Sequence, residues 1–436
     1  MLKSFSKEER SWIMYDWADS AFATIMLAAV FPVFFVQMAG GEGTQGSMWW
    51  GIGIAGARFF LGVAAPVIGT LIDYRGYKKR LLVLFIAFGI LALLFVSAQS
   101  SWQMLLIGYV LANILWSAGN FVYDSYLPDV TTKDRMDKVS AWGFAMGYIG
   151  GSTIPFIISI ILIVFGENFG VDGVMAVRIS VVMTAAWWGV FSIPIIRNVH
   201  HKHGVDAPQK GFVKHTFRNV FDTAKRITKN KGMFVFIVAY FFYIDGVGTI
   251  INMATAYGAE LQLDATMMIL SLFIMQIVAV PFSILFGRLT KAFNPIVVIS
   301  CAICVYLLIV LTGFIMGFGL EVYWFDRDVA IILFFALAFM VGTVQGGIQA
   351  LSRSTFARLV PPENAGEYFG FYEIFGRFAA ILGPALYALV LHLTGRPPIS
   401  IISIGIVFIV GLTILLAGRR HLYASLGLGG GNGQEG

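Results

Sequence analysis

The chain has 436 residues, of which 58% are hydrophobic and only 12% charged, with a formal net charge of +6. Soluble domains carry about 25% charged residues, so the apolar surface here exceeds what one soluble core can bury, and lipid must serve as part of the solvent. The positive charge does not point to nucleic acid, because the basic residues mark one side of a membrane instead.

Crossing a bilayer core of about 30 Å takes about 20 apolar residues per helix. Runs of that kind recur at about 17–38, 48–72, 81–98, 102–125, 139–165, 175–197, 233–256, 267–289, 295–318, 328–352, 367–394 and 399–418. These twelve spans predict an all-α membrane protein. The first run follows Lys7-Glu8-Glu9-Arg10; it is too long for a signal h-region and lacks a small-residue cleavage site, so it is expected to stay as the first membrane helix. With the amino terminus inside, the inner segments hold 25 of the 30 Lys and Arg, whereas the outer segments keep Arg178, Arg327 and Arg396. The positive-inside rule then predicts an even helix number and two cytoplasmic termini. Short outer loops and few cysteines fit a bacterial inner membrane. Arg58 and Arg377 remain inside spans.

One long interruption splits the spans six and six. The expected organisation is an N-terminal six-helix bundle over 1–197, a basic cytoplasmic linker over 198–231, a C-terminal six-helix bundle over 232–420, and a Gly-rich tail over 421–436, of which Gly427 to Gly436 is expected to be disordered. In the linker, Val213, Phe217, Val220, Phe221, Ala224 and Ile227 recur at helical spacing while Lys214, Arg218, Lys225, Arg226 and Lys229 take other positions. That pattern suits a helix lying on an anionic leaflet, or a linker helix with no further role. His200, His201, His203 and His215 read as a solvated basic stretch rather than a metal site, and Cys301-x-x-Cys304 on an apolar helix reads as lipid-facing packing. No metal and no cofactor is expected.

Polar residues inside a membrane cost free energy and turn toward protein or a water-filled cavity. The spans numbered 3, 6, 9 and 12 carry no charge in their cores. Spans 1, 4, 7 and 10 each carry polar residues at offsets that share one helical face: Asp16, Asp19, Ser20 and Thr24; Asn113, Ser117, Asn120 and Asp124; Asp245, Thr249 and Asn252; Gln345, Gln349 and Arg353. A single such residue is explained by interhelical hydrogen bonding. Four stripes at every third helix, repeated in both halves, suggest two pseudo-symmetric bundles around a central cavity.

Between the second and third spans lies Gly69-Thr-Leu-Ile-Asp73-Tyr-Arg-Gly76-Tyr-Lys78-Lys79-Arg80, which resembles the loop signature of the major facilitator superfamily. Gly287-Arg-Leu-Thr-Lys291 in the second half is a loose echo. The strings Tyr15-Asp16-Trp17-Ala18-Asp19-Ser20-Ala21-Phe22, Tyr240-Phe-Phe-Tyr-Ile-Asp245-Gly246, Gly346-Gly347-Ile-Gln349-Ala-Leu-Ser352-Arg353-Ser354 and Glu367-Tyr-Phe-Gly370-Phe-Tyr look like the signatures of its vacuole-effluxer-like branch, with Asp19 where the branch has Asn. The resemblance implies the major facilitator fold, a gating role for Gly69, Asp73, Gly76, Lys78, Lys79 and Arg80, and export of amino acids by analogy with the eukaryotic members. Gly143, Gly147, Gly150, Gly151 and Pro155 are similar to the Gly-rich motif of proton-coupled antiporters, with Tyr148 where that motif has Pro; close helix packing is the simpler reading.

The chain has no G-x-x-x-x-G-K-[ST] phosphate loop, so gradients rather than ATP should drive it. Asp19, Asp245 and Glu373 are the candidate proton carriers, Asp245 first. Glu373 and Arg377 stand at i and i+4, where an internal salt bridge is the alternative. Arg58 is expected to pair with an acid of the first helix or to hold a substrate carboxylate, and Asp16 is either functional or a helix cap at the interface. The cavity set is therefore Asp19, Thr24, Arg58, Asn113, Asn120, Asp245, Thr249, Asn252, Gln345 and Gln349. A secondary carrier of small molecules, working as a monomer in the bilayer, is the first reading. A membrane-embedded or lipid-modifying enzyme, and a channel or sensor, are the alternatives. For an enzyme the chain offers no H-E-x-x-H, no G-x-S-x-G, and no His in a helix core but His392 near an outer end.

Overall fold

The computed structural model describes residues 2–40, 44–206 and 212–428; the tail assigned from 421 on is helical to Leu426, and its residues 429–436 lie outside the described residues. Twelve helices are long and apolar enough to cross a membrane. They are α1 (Lys7–Gly40), α2 (Met48–Asp73), α3 (Tyr77–Ala98), α4 (Trp102–Ser125), α5 (Met136–Phe169), α6 (Gly173–Asn198), α7 (Lys231–Ala254), α8 (Leu270–Leu289), α9 (Pro295–Glu321), α10 (Arg327–Leu359), α11 (Pro362–Thr394) and α12 (Pro397–Ala417). Helices are what a chain in hydrocarbon must form, because only they satisfy every backbone donor and acceptor within one segment. Between α6 and α7 a further helix, Phe212–Lys229, fills the linker; of its described side chains, Thr216, Thr223 and Ile227 are buried while Arg218, Phe221, Lys225 and Arg226 are exposed.

The first helix begins ten residues before the expected span. Ser6 Oγ accepts the N–H of Glu9 (3.1 Å), and Glu9 Oε2 accepts the N–H of Ser6 (2.8 Å), a reciprocal capping box that fixes the start. Asp16 therefore sits mid-helix and is not a cap. Its Oδ2 accepts a hydrogen bond from the Tyr123 hydroxyl (2.7 Å).

The chain divides into two compact units, one of Met1–Phe221 with Val360–Ile374, the other of Asp222–Leu359 with Phe375–Gly436. The first is built on an aromatic core in which Trp12 stacks on Tyr123 at 4.4 Å and donates its indole N–H to the Tyr123 carbonyl (3.0 Å). There α1 and α5 approach so closely that glycine is obligatory: a Cβ at Gly150 would lie 1.8 Å from the Trp17 ring and one at Gly151 2.2 Å from Ser20. Close packing thus accounts for the glycines of α5. Both helices widen to a π-helical turn where they meet, over Ala23–Ala29 and Gly147–Thr153. In the second unit Tyr306 stacks on Phe408 at 5.1 Å, the Tyr243 and Ser352 hydroxyls share a hydrogen bond of 2.7 Å, and Gly347 leaves room for the Phe286 ring, which a Cβ would meet at 2.1 Å.

Replacing Gly150 by Leu should destabilise the protein by about 1–3 kcal/mol through overpacking, whereas Gly56→Ala, where a Cβ meets nothing within 4 Å, should change little. Thermal unfolding followed by tryptophan fluorescence in detergent measures both.

Candidate functional site

The turn between α2 and α3 is held from three directions. Gly76 takes the left-handed conformation (φ 82°) at the start of α3, which glycine adopts without strain. Asp73 closes α2, is 1% exposed, and receives the N–H groups of Gly366 (2.6 Å) and Glu367 (2.8 Å) on its two carboxylate oxygens. Those amides belong to the first turn of the helix Ala365–Thr394, where N–H groups have no intrahelical acceptor and the helix dipole favours an anion. The approach depends on paired glycines, since a Cβ on Gly69 would come within 2.4 Å of the Gly366 carbonyl oxygen.

Of the three consecutive basic residues only Lys78 joins the buried network; Lys79 is half-buried and Arg80 exposed. The Lys78 ammonium, fully buried, pairs with Asp129 Oδ2 (2.9 Å), donates to the Ser125 carbonyl (2.9 Å) and lies 4.7 Å over the Tyr126 ring. Asp129 Oδ1 accepts the N–H groups of Lys202 (2.9 Å) and His203 (3.1 Å) and lies 3.1 Å from His203 Nδ1. Burial works to raise the Asp129 carboxyl, but the Lys78 ammonium and these hydrogen bonds outweigh it, so its pKa is lowered.

The start of the linker is thereby tied to the first unit. Val205 pairs with the α2–α3 turn, donating to the Asp73 carbonyl (2.9 Å) and accepting from the Arg75 N–H (2.9 Å). Arg75 Nε donates to the Gly204 carbonyl (2.9 Å), and Glu8 pairs with Lys202. The histidines there are not simply solvated, as their composition suggested. His201 packs edge-on against the Tyr126 ring, its ring nitrogens have no hydrogen-bond partner among the described residues, and burial, aided by Lys78 and opposed by Asp129, pushes its imidazole down to about 4. The side chain of His215 lies outside the described residues.

Inside the spans of the first unit, Asp19 and Thr24 are buried; the Asp19 carbonyl accepts from the Trp116 indole (3.2 Å) and the Thr24 hydroxyl donates to the Ser20 carbonyl (3.2 Å). Asn113 donates to the Tyr109 hydroxyl and accepts from Ser117, both at 3.4 Å. Half-buried Arg58 on α2 acts electrostatically on Tyr109, so the structure gathers Arg58, Tyr109, Asn113 and Ser117. Asn120 is half-buried, its Oδ1 without a hydrogen-bond partner.

In the second unit Asp245 is fully buried; no side chain among the described residues gives its carboxylate a hydrogen bond, and only the backbone of Gly383 and Leu382 lies close enough to act on it. Thr249, one turn on, gives its hydroxyl to the Asp245 carbonyl (2.7 Å). Gly383 of α11 abuts both: a Cβ there would lie 2.0 Å from Thr249 Oγ1 and 3.0 Å from Asp245 Oδ2. The burial of this face ends before Asn252, which is exposed. Gln345 is buried, its side-chain oxygen without a hydrogen-bond partner among the described residues, and Gln349, half-buried, donates to the Gln345 carbonyl (3.2 Å). Glu373 and Arg377 are both half-buried.

Sequence reasoning passed over Asp129, Tyr109 and Gly383. Asp129 had a signal, an acid directly after Pro128 in the otherwise apolar turn that ends α4; Tyr109 and Gly383 had none that distinguishes them from packing residues.

Two outcomes follow. Lys78→Met strands the Asp129 carboxylate in a buried site and should cost about 3–5 kcal/mol, against at most about 0.5 kcal/mol for Lys79→Met, in thermal unfolding at neutral pH. For His201, an imidazole that titrates near about 6.5 when free binds its proton only near 4 in the fold. The unfolded chain then holds more protons between those values, so this contribution to stability is present above about pH 6.5 and falls away toward pH 4. His201→Asn should flatten the decline in melting temperature between about pH 7 and pH 5 relative to wild type.

Comparison with known proteins agrees with this geometry. Residues 54–420 match the family model described as vacuole effluxer Atg22 like. The MFS-type transporter YxiO of Bacillus subtilis strain 168 is 42% identical over 422 residues, 95% of each chain. Autophagy-related protein 22-1 of Aspergillus fumigatus is 25% identical over 306 residues, 64% of this chain and 47% of that protein, so the chain spans about half the length of its fungal relative. Among solved structures, the human organic anion transporter MFSD10 matches with a TM-score of 0.73 at 13% identity over 93% of this chain and 99% of its own. A bacterial homologue of the iron transporter ferroportin matches at 0.68 and 12% identity over 95% and 99%. At such identities these likenesses show the fold alone, that of major facilitator transporters. The chain belongs to the Atg22-like vacuole effluxer family and is a multi-pass membrane transporter of the major facilitator type, not an enzyme.

Proposed function

We propose that the protein exports amino acids or close analogues by alternating access, drawing on a proton gradient, with Asp245 as the coupling carboxyl. The observation that carries this is the burial of Asp245 with no side-chain cation or donor on its carboxylate among the described residues, only the nearby backbone of Gly383 and Leu382. A lone carboxylate in such a site is costly, so a proton or a substrate ammonium must accompany it, and exchange between the two is what coupling requires. Thr249 and Gly383 shape the space around the carboxyl. In the first unit, the Arg58 guanidinium with Tyr109 and Asn113 offers donors suited to a carboxylate. The family name supports efflux as the direction, and amino acids as the cargo is what the resemblance to the eukaryotic members implies.

The buried Asp73, Lys78 and Asp129 groups serve as the latch of one conformational state in this reading, because each is fully partnered and would lose its partners if the turn moved. The distribution of Lys and Arg supports cytoplasmic termini, short outer loops and few cysteines support a bacterial inner membrane, and the working unit proposed is the monomer.

Uptake of a labelled amino-acid mixture into proteoliposomes, with and without a pH gradient, tests the proposal. Asp245→Asn should abolish gradient-driven accumulation while leaving the folded protein intact and counterflow measurable. Accumulation unchanged at every pH would remove Asp245 from the mechanism.

A further inference from the structure

The part of the second unit remote from the linker helix contains a hollow of about 60 Å³, lined by α7, α8, α9, α10, the start of α12 and Tyr257, just beyond α7. Among the described lining residues only Tyr257 and Ser271 carry a polar side-chain N or O atom. Both are committed elsewhere: the Tyr257 hydroxyl donates to the Gly313 carbonyl (2.7 Å) and the Ser271 hydroxyl to the Met268 carbonyl (2.7 Å). A polar solute entering this hollow would surrender its hydration and gain no hydrogen bond from these side chains.

Small residues keep the space open, with Ala254 on α7, Gly313 on α9 and Ala338 on α10 all facing it. Gly313 differs from Gly150 and Gly347, whose missing side chains are occupied by a neighbouring ring. A Cβ on Gly313 would meet Ile401 at 3.5 Å and Tyr257 at 4.0 Å, which is ordinary contact, so close packing does not demand a glycine there. Interiors are otherwise filled to near crystalline density with few voids, and a predominantly apolar lining with few polar groups is what sites for apolar ligands have.

We infer that this pocket in the second unit binds the hydrocarbon chain of a membrane lipid. The lining belongs to membrane-spanning helices, so the medium at that depth is itself hydrocarbon, and an acyl chain brings no polar atom to desolvate. The inference is independent of the coupling role of Asp245 and of the cargo.

Photolabelling in nanodiscs tests it. The protein is reconstituted in phosphatidylcholine carrying a trace of the same lipid with a diazirine in one acyl chain, illuminated, digested and mapped by mass spectrometry. Label should concentrate in 250–257, 271–275 and 334–341. Ala338→Phe and Ala254→Phe should each cut it there by about fivefold or more, because the ring takes the volume, while label at the exposed side chains Leu308 and Ile332 stays constant. Ala338→Leu replaces either variant that fails to purify as a single species. Label spread evenly over the lipid-facing surface, or unmoved by the filling substitutions, would overturn the inference. So would displacement of the label by free leucine, which would make the pocket a solute site.

Discussion

Hydrocarbon cannot hydrogen-bond, and every feature of this protein is arranged around that constraint. It forces the chain into helices, whose backbone groups are satisfied within the segment, and it turns polar side chains toward protein. The apolar remainder faces outward, as the exposed Phe59, Leu111, Ile277 and Ile332 illustrate. Where a polar group remains away from water, its partners define what it does.

Buried carboxylates show the contrast. Asp73 is saturated by two backbone amides, Asp129 by an ammonium and two amides, and Asp16 accepts a tyrosine hydroxyl. Removing a partner from such a group leaves a desolvated charge, so these sites resist change and fix the geometry of the first unit. Asp245 has no side-chain partner among the described residues and only the less well-aligned backbone of Gly383 and Leu382 beside it. The same low dielectric that stabilises the satisfied groups makes the unsatisfied one responsive to whatever cation approaches it.

Much of this was legible in the sequence. The twelve spans follow from apolar runs that nothing but lipid could accommodate, and the α2–α3 turn was visible because Gly69, Asp73, Gly76 and the basic residues fall in register at a short loop. Asp245 stood out as a charge in an apolar run. What stayed hidden depends on contacts between distant residues. That Lys78 and not Lys79 or Arg80 is the buried cation depends on Asp129, 51 residues away. Asp16 looked like a cap because its own helix start, set by Ser6 and Glu9, lay in a polar stretch that hydropathy does not register. The π-helical turns of α1 and α5 were equally invisible, since they lie where the two helices meet and that contact is not written in either segment alone.

The partner of Asp73 has a consequence in time as well as in space. Its acceptor oxygens wait for amides 293 and 294 residues further along the chain. At synthesis rates of about 5–20 residues per second, the carboxylate spends about 15–60 s on the growing chain before Gly366 and Glu367 exist to receive it. The first unit, which needs Val360–Ile374, is therefore finished only after most of the second has been translated. A nascent chain halted before α11 would keep a charged, open end of α2, an obvious mark for the machinery that distinguishes finished membrane proteins from fragments.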